Sequence, residues 1–249
     1  MSIAAAAFFA APGLAVGSFL NVVAARLPLR RSLVRPGSSC MSCGAAIPLR
    51  DNVPVLSYLM LRGRCRACGA RIPLRYPVVE LVTALLVGGC GLRFGVTVYA
   101  VLAAVFCVVL VAISAIDIEH RIVPNRIVIP AAAAALVAQL AREPSVEWPL
   151  AALGASLFLF VAAVAYPRGM GMGDVKLALL LGAFLGRDVA AALMIGLLAA
   201  VVPALALLAL KGSSARKMAM PFAPFLAFGA IVALFAGDGL LDWYLGLTR

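Results

Sequence analysis

Residues 101–117, with the sequence VLAAVFCVVLVAISAID, form an apolar run whose one ionisable residue is Asp117 at its end. A second aspartate, Asp174, lies in Gly171-Met172-Gly173-Asp174-Val175, between two further apolar runs. A carboxylate near bilayer depth costs several kcal/mol unless a partner, water or protonation relieves the cost. Two such residues in one chain therefore indicate a functional site.

The composition around these aspartates is that of a membrane protein. Of 249 residues, 65% are hydrophobic and only 12% are charged, and the mean hydropathy of +1.10 far exceeds that of an ordinary soluble domain. Apolar runs long enough to cross a bilayer as helices predict an all-α polytopic protein with about eight transmembrane spans. The predicted spans are about 3–25, 77–92, 96–116, 127–141, 149–166, 173–186, 189–210 and 222–241, of which the fourth and sixth are short.

The basic residues predict the orientation of these spans. Alternating the spans across a bilayer places 17 of the 21 Lys and Arg residues in the loops of one side, at 26–76, 117–126, 167–176 and 211–217. Loops rich in Lys and Arg face the cytoplasm, so both aspartates fall at the cytoplasmic side. Topology and attraction to anionic lipids also explain the net charge of +11 better than nucleic-acid binding does. No basic segment precedes the first span, which favours a retained anchor over a cleaved signal peptide.

The loop at 26–76 contains two Cys-x-x-Cys motifs, with 21 residues between them. Their cysteines are Cys40, Cys43, Cys65 and Cys68. Four thiolates in this arrangement are typical of a structural zinc site, and a loop this small needs such a site because its apolar core is insufficient. Two disulfides are the alternative, although such bonds are rare in the reducing cytoplasm. Gly44 and Gly69, after each second cysteine, predict tight turns.

Cys90 and Cys107 lie inside apolar spans. No ligand partner is evident near either in the sequence. Both are interpreted as small buried hydrophobic residues.

The two aspartates together suggest an aspartic protease. Two neighbouring carboxyl groups cannot both ionise cheaply and therefore share one proton. The ionised member can deprotonate water while the protonated member polarises the scissile carbonyl. The proton belongs to the pair, so neither residue is given a fixed role. The glycines at 169, 171 and 173 predict an unwound loop with water beside Asp174.

The two aspartates could also serve without catalysing a reaction. Asp117 could pair with Arg121, four residues later on the helix, and Asp174 could cap a helix that begins at Val175. An ion-coupled transporter would also place carboxylates inside the membrane, and a structural scaffold would use them for packing alone. Glu119 and His120 are interpreted as solvated residues at the interface.

The order of motifs along the chain resembles the bacterial type IV prepilin peptidase family. The motifs that carry the resemblance are Gly17-Ser18-Phe19-Leu20-Asn21, Arg26-Leu27-Pro28, the cysteine tetrad, Asp51-Asn52-Val53-Pro54, Arg62-Gly63-Arg64-Cys65, Arg75-Tyr76-Pro77-Val78-Val79-Glu80, the two aspartate segments and Pro221-Phe222-Ala223-Pro224-Phe225-Leu226. They extend from about Gly17 to Gly229.

The resemblance implies that Asp117 and Asp174 are the catalytic pair. They would cut the basic leader from type IV prepilins or pseudopilins at the cytoplasmic face of the inner membrane. It also implies S-adenosylmethionine-dependent methylation of the new amino terminus, for which the sequence shows no nucleotide-binding loop. Glu80 or Asp51 could meet the cofactor, and a structural pairing with arginine is the alternative for each.

The expected domains are a first transmembrane helix at 1–25, a cytoplasmic zinc-knuckle domain at 26–76 and a membrane aspartic peptidase domain at 77–249. Three positions depart from the family's usual motifs. They are Met41 in place of proline, Asn125 in place of aspartate and Ala223 in place of glycine. Asn125 removes a possible third carboxylate, which leaves the pair as the acid–base set.

Overall fold

The computed structural model describes residues 3–166, 170–212 and 220–247, without the side chains of 238–247. Within these ranges the protein is helical, and its only strand-like pairs are two isolated bridges in the loop at 27–74. The predicted loop glycine Gly169 lies outside the described residues. The chain divides into two compact units, Met1–Ala115 and Ile116–Arg249.

Each predicted span coincides with a helix, and one short additional helix lies in the cysteine-bearing loop. The helices are α1 (Ile3–Arg26), α2 (Leu56–Met60), α3 (Arg75–Phe94), α4 (Val98–His120), α5 (Asn125–Arg142), α6 (Glu147–Ala165), α7 (Met172–Leu185), α8 (Val189–Lys211) and α9 (Ala223–Leu247). The all-α polytopic fold is thereby confirmed. α5 begins directly after Pro124, as expected for a proline ahead of a helix.

Five segments of the described chain are long and apolar enough to cross a membrane. They are Ile3–Arg26, Arg75–Phe94, Val98–His120, Glu147–Ala165 and Met172–Lys211, the last containing α7, a turn of 3-10 helix and α8. α7 alone has 14 residues and measures about 21 Å at about 1.5 Å per residue, short of a hydrocarbon core of about 30 Å. The count of eight spans therefore stays a prediction.

In the first unit, α1 packs closely against α3. A Cβ atom added to Gly17 would lie 2.7 Å from the Cα of Glu80, and one added to Gly91 would lie 2.7 Å from the carbonyl oxygen of Ala5. Small residues allow such close backbone approach between membrane helices. The amide of Asn21 also donates to the carbonyl of Tyr76, at 3.1 Å, which fixes the start of α3 to α1.

In the second unit, the short helix α7 is the central element. It packs against α5 and α6, while α8 packs against α9. Ten of its 14 residues are buried, as expected of a helix that is apolar on all sides. The first turn of α7 carries Asp174, so this carboxylate projects from a rigid, enclosed helix.

Candidate active site and metal centre

Asp117 lies in the last turn of α4 and is buried, with 5% of its surface exposed. Its Oδ2 accepts a hydrogen bond from the backbone N–H of Ala223, at 3.0 Å. Ala223 lies 106 residues after Asp117 in the sequence and is the first residue of α9. No salt bridge to Arg121 occurs in the described part of the chain, so the alternative in which these two side chains pair is wrong. Arg121 instead donates its backbone N–H to the Asp117 carbonyl.

Asp174 is also buried, with 7% of its surface exposed. It is the third residue of α7, and its Oδ2 accepts a hydrogen bond from the backbone N–H of Gly171, at 3.3 Å. It therefore caps a helix, but that helix begins at Met172 and not at Val175. The expectation of an unwound run through Gly173 is wrong, because Gly173 lies inside α7.

The two aspartate segments meet within the second unit. Asp174 lies within electrostatic range of Asp117. Val123, which follows the Asp117 segment, packs against Gly173. Lys176 on α7 donates to the side-chain oxygen of Asn125, at 2.9 Å. Two acids from distant parts of the sequence thus lie within electrostatic range of each other, and their segments are in contact through neighbouring residues.

Gly173 provides a direct test of this arrangement. A Cβ atom at position 173 would lie 2.8 Å from the Cβ of Val123, so Gly173→Val is expected to push the two segments apart and to lower leader cleavage at least tenfold. Gly154→Val is the matched control, because no atom lies within 4 Å of a Cβ there. Cleavage and bound metal should both be measured. Unchanged metal with lost cleavage is expected, and full activity of Gly173→Val would contradict the role of this contact.

The four cysteines of the loop form a cluster. Their Sγ atoms all lie within 4.8 Å of one another, and those of Cys40 and Cys68 are 3.8 Å apart. A tetrahedral zinc site with Zn–S bonds of about 2.3 Å has sulfur atoms about 3.8 Å apart. The cluster could therefore hold a metal ion, and none of the four cysteines is in a disulfide.

The two cysteine motifs share one backbone conformation. In each, the first cysteine donates its N–H to an alanine five residues later, at 2.9 and 2.8 Å. Gly44 and Gly69 have φ of +72° and +70°, the left-handed conformation that glycine adopts readily, which confirms the predicted turns. Backbone N–H groups of Cys43 and Ser42 lower the pKa of Cys40 to about 6, whereas hydrogen bonds with the neighbouring thiols raise the pKa of Cys68 to about 11. Cys40 is therefore the member of the cluster that most favours the thiolate, the form that binds metals.

Cys90 and Cys107 are both completely buried. This agrees with the prediction of small buried hydrophobic residues. Their Sγ atoms lie 3.9 Å apart, a contact between α3 and α4 that the sequence did not indicate.

The acids expected to meet a cofactor have different environments. Asp51 forms a two-pronged ion pair with Arg66, with both N–O distances at 2.7 Å, and this contact lowers the pKa of Asp51. Glu80 makes no such pair in the described ranges. Its Oε2 accepts a hydrogen bond from the backbone N–H of Val55, at 2.7 Å. The arginine pairing holds for Asp51 and is wrong for Glu80.

Comparison with known proteins matches two successive parts of the chain to two family models. Residues 12–94 match the model for the bacterial peptidase A24 N-terminal domain, and residues 104–210 match the type IV leader peptidase family. A protein of Bacillus subtilis (strain 168), named prepilin leader peptidase/N-methyltransferase, is 37% identical over 95% of this chain and 96% of its own length. The chain belongs to the type IV leader peptidase family.

Further members of the type IV leader peptidase family with the same name are similar to this chain. One from Myxococcus xanthus (strain DK1622) is 42% identical over 72% of this chain and 56% of its own length. One from Pseudomonas aeruginosa (strain PAO1) is 34% identical over 94% and 91%. No solved structure matches the chain. The predicted family is confirmed, and the alternative of an ion-coupled transporter has no support from these relatives.

Proposed function

We propose that this protein is an integral membrane aspartic endopeptidase that removes the basic leader of type IV prepilins or pseudopilins, with Asp117 and Asp174 as its catalytic pair. The supporting observation is that both carboxyl groups are buried in one unit, within electrostatic range of each other. Neither has a basic partner among residues 3–166, 170–212 and 220–247. Ionisable residues within membrane segments are costly and usually mark a functional site, which supports a functional role for this pair.

The pair would work by dividing one proton between two carboxyl groups. Two close carboxyl groups cannot both ionise cheaply, so one holds a proton. The ionised group takes a proton from water, whose oxygen attacks the scissile carbonyl, while the protonated group donates a hydrogen bond to the carbonyl oxygen. The peptide C–N bond then breaks, and the proton taken from water passes to the leaving amine. The hydrogen bonds from Ala223 and Gly171 hold both carboxyl groups in place, so little reorganisation is needed.

The substrate would approach with its apolar helix in lipid and its basic leader in the cytoplasm. This placement follows from the positive-inside rule, which puts the Arg-rich loop and the cytoplasmic ends of α4 and α7 on the same side of the inner membrane. The bond between leader and helix then arrives at the depth of Asp117 and Asp174. The bilayer and the prepilin are the proposed partners, and nucleic acid is not among them.

The second proposed activity is N-methylation of the newly exposed amino terminus. Relatives over most of the chain carry N-methyltransferase in their names, and S-adenosylmethionine would supply the methyl group when bound. The metal at Cys40, Cys43, Cys65 and Cys68 is proposed to be zinc with a structural role, because four thiolates in this geometry suit it. The proposed domain boundaries remain 1–25, 26–76 and 77–249.

A synthetic prepilin would test the function directly. The peptide should carry a basic leader, the junction and an apolar segment, and be incubated with the purified full-length protein in detergent. Mass spectrometry is expected to show two cleavage products and, only with S-adenosylmethionine, one added methyl group on the mature amino terminus. An intact peptide after incubation with folded, metal-loaded protein would overturn the peptidase proposal.

A further inference from the structure

A cavity of about 440 Å³ lies in the first unit, between the cysteine motifs and the start of α3. Its wall is mostly apolar and includes Val53, Leu61, Ile72 and the aromatic residue Tyr58. Sites for small molecules in proteins typically measure about 300–1,000 Å³ and combine an apolar wall with a few polar groups. The cavity therefore has the size and lining of a site for a cofactor.

Glu80 is the unusual member of this lining. It is 8% exposed, its Oε2 accepts one hydrogen bond from Val55, and it has no cationic partner in the part of the chain described here. Glutamate is rarely buried unless it is paired, because taking a charge from water without a partner costs several kcal/mol. A bound cation in the cavity would provide the missing partner.

The other charged groups of the lining do not neutralise Glu80. Arg66 is engaged by Asp51 in the two-pronged ion pair. Arg71 is exposed to solvent and forms no salt bridge with Glu80. Among the described residues of this lining, Glu80 is consequently the one acid without a counter-charge.

The backbone beside Glu80 is strained. Val55, which donates the hydrogen bond to Glu80, has φ of +60°, a conformation that β-branched residues rarely adopt. The hydrogen bond to the carboxylate holds this turn in place. The Glu80 side chain is thereby fixed in position at the cavity wall.

We infer that this cavity binds S-adenosylmethionine, with the Glu80 carboxylate facing its sulfonium charge and the apolar wall receiving its adenosine. The inference rests on the methyl-transfer half of the proposed function. A carboxylate in an apolar site attracts a sulfonium strongly because the local dielectric is low. Neither Asp117 nor Asp174 is among the residues that line the cavity, all of which lie between 39 and 80.

Binding of two ligands that differ in charge tests the role of Glu80. Full-length protein in lipid nanodiscs should be titrated with radiolabelled S-adenosylmethionine and with S-adenosylhomocysteine, whose sulfur is neutral. Glu80→Gln keeps an oxygen that can accept from Val55 but removes the charge. We expect it to raise the Kd for S-adenosylmethionine at least tenfold and the Kd for S-adenosylhomocysteine less than twofold.

Two further variants complete the test. Ile72→Trp fills the cavity and is expected to weaken the binding of both ligands to the same extent. Glu143→Gln, on an exposed loop outside the lining, should change the Kd of neither ligand. Bound zinc and thermal unfolding check that each variant is folded. Equal effects of Glu80→Gln on the two ligands, or no effect on either, would overturn the inference.

Leader cleavage measured on the same wild-type sample separates the two proposals. Leader cleavage without any binding of S-adenosylmethionine would contradict the cavity assignment alone. Binding of S-adenosylmethionine without cleavage of the prepilin would contradict the peptidase proposal and leave the cavity assignment supported.

Discussion

Replacing either Asp117 or Asp174 with asparagine is expected to lower the rate of leader cleavage by about 10³-fold or more, since positioned acid–base groups contribute about 10²–10⁴-fold each. Asparagine keeps an oxygen that can accept the hydrogen bond from Ala223 or from Gly171. The fold should therefore survive while the shared proton is lost. Cleavage of a synthetic prepilin, followed by mass spectrometry at matched protein concentration, measures the effect.

Glu119→Gln is the matched control for this experiment. Glu119 lies on the same helix two residues after Asp117, and its side chain is 30% exposed. Removing its charge is therefore expected to change the rate of leader cleavage less than twofold. The double variant Asp117→Asn with Asp174→Asn should be no slower than either single variant, because a pair that acts as a unit is lost with its first member. Substantial residual cleavage in either single variant would argue against the pair.

Replacing Cys43 or Cys68 with serine is expected to reduce bound zinc from about one ion per chain to nearly none. In small zinc-finger peptides near neutral pH, the free energy of zinc binding is about 10–16 kcal/mol and drives folding of the peptide. A loop with so little apolar core should therefore lose its fold with the metal. Metal analysis of the purified protein, together with limited proteolysis of the loop at 27–74, measures both effects.

The chain contains its own control for this second prediction. Cys90→Ala and Cys107→Ala remove thiols that are buried in α3 and α4, away from the cluster, and should leave the zinc content unchanged. Loss of zinc in either of these variants, or full zinc in Cys43→Ser, would contradict the four-cysteine site. S-Adenosylmethionine binding should fall along with the metal in Cys68→Ser, because Cys40 and Cys65 also line the cavity.

Much of the fold was predictable because apolar length and local turn chemistry determine it. Each uncharged run forms a helix, Pro124 precedes α5, and the glycines after the cysteine pairs adopt positive φ. The start of α7 differs from its prediction, since three alternating glycines suggest an unwound loop. At Gly173 the low helical propensity of glycine is overridden by packing, because the absence of a side chain leaves room for Val123; Gly171 precedes α7 in an extended conformation.

The candidate site was predictable in its residues but not in its contacts. The two aspartates and four cysteines stand out by residue type and spacing. The hydrogen bond from Ala223 to Asp117 joins residues 106 positions apart, and the approach of Cys90 to Cys107 depends on how two helices are rotated. The sequence marks Glu80 as a candidate, but only the cavity shows that it lacks a counter-charge.

The close seam between α1 and α3 has a practical consequence for isolating the methyl-donor site. Tyr76, Pro77 and Glu80 form part of the cavity wall and belong to a helix that enters the lipid, and Asn21 anchors that helix to the amino-terminal one. A water-soluble fragment made of the loop alone would lack this wall. Ligand-binding studies on excised cysteine motifs would therefore report a false negative, and lipid composition becomes an experimental variable.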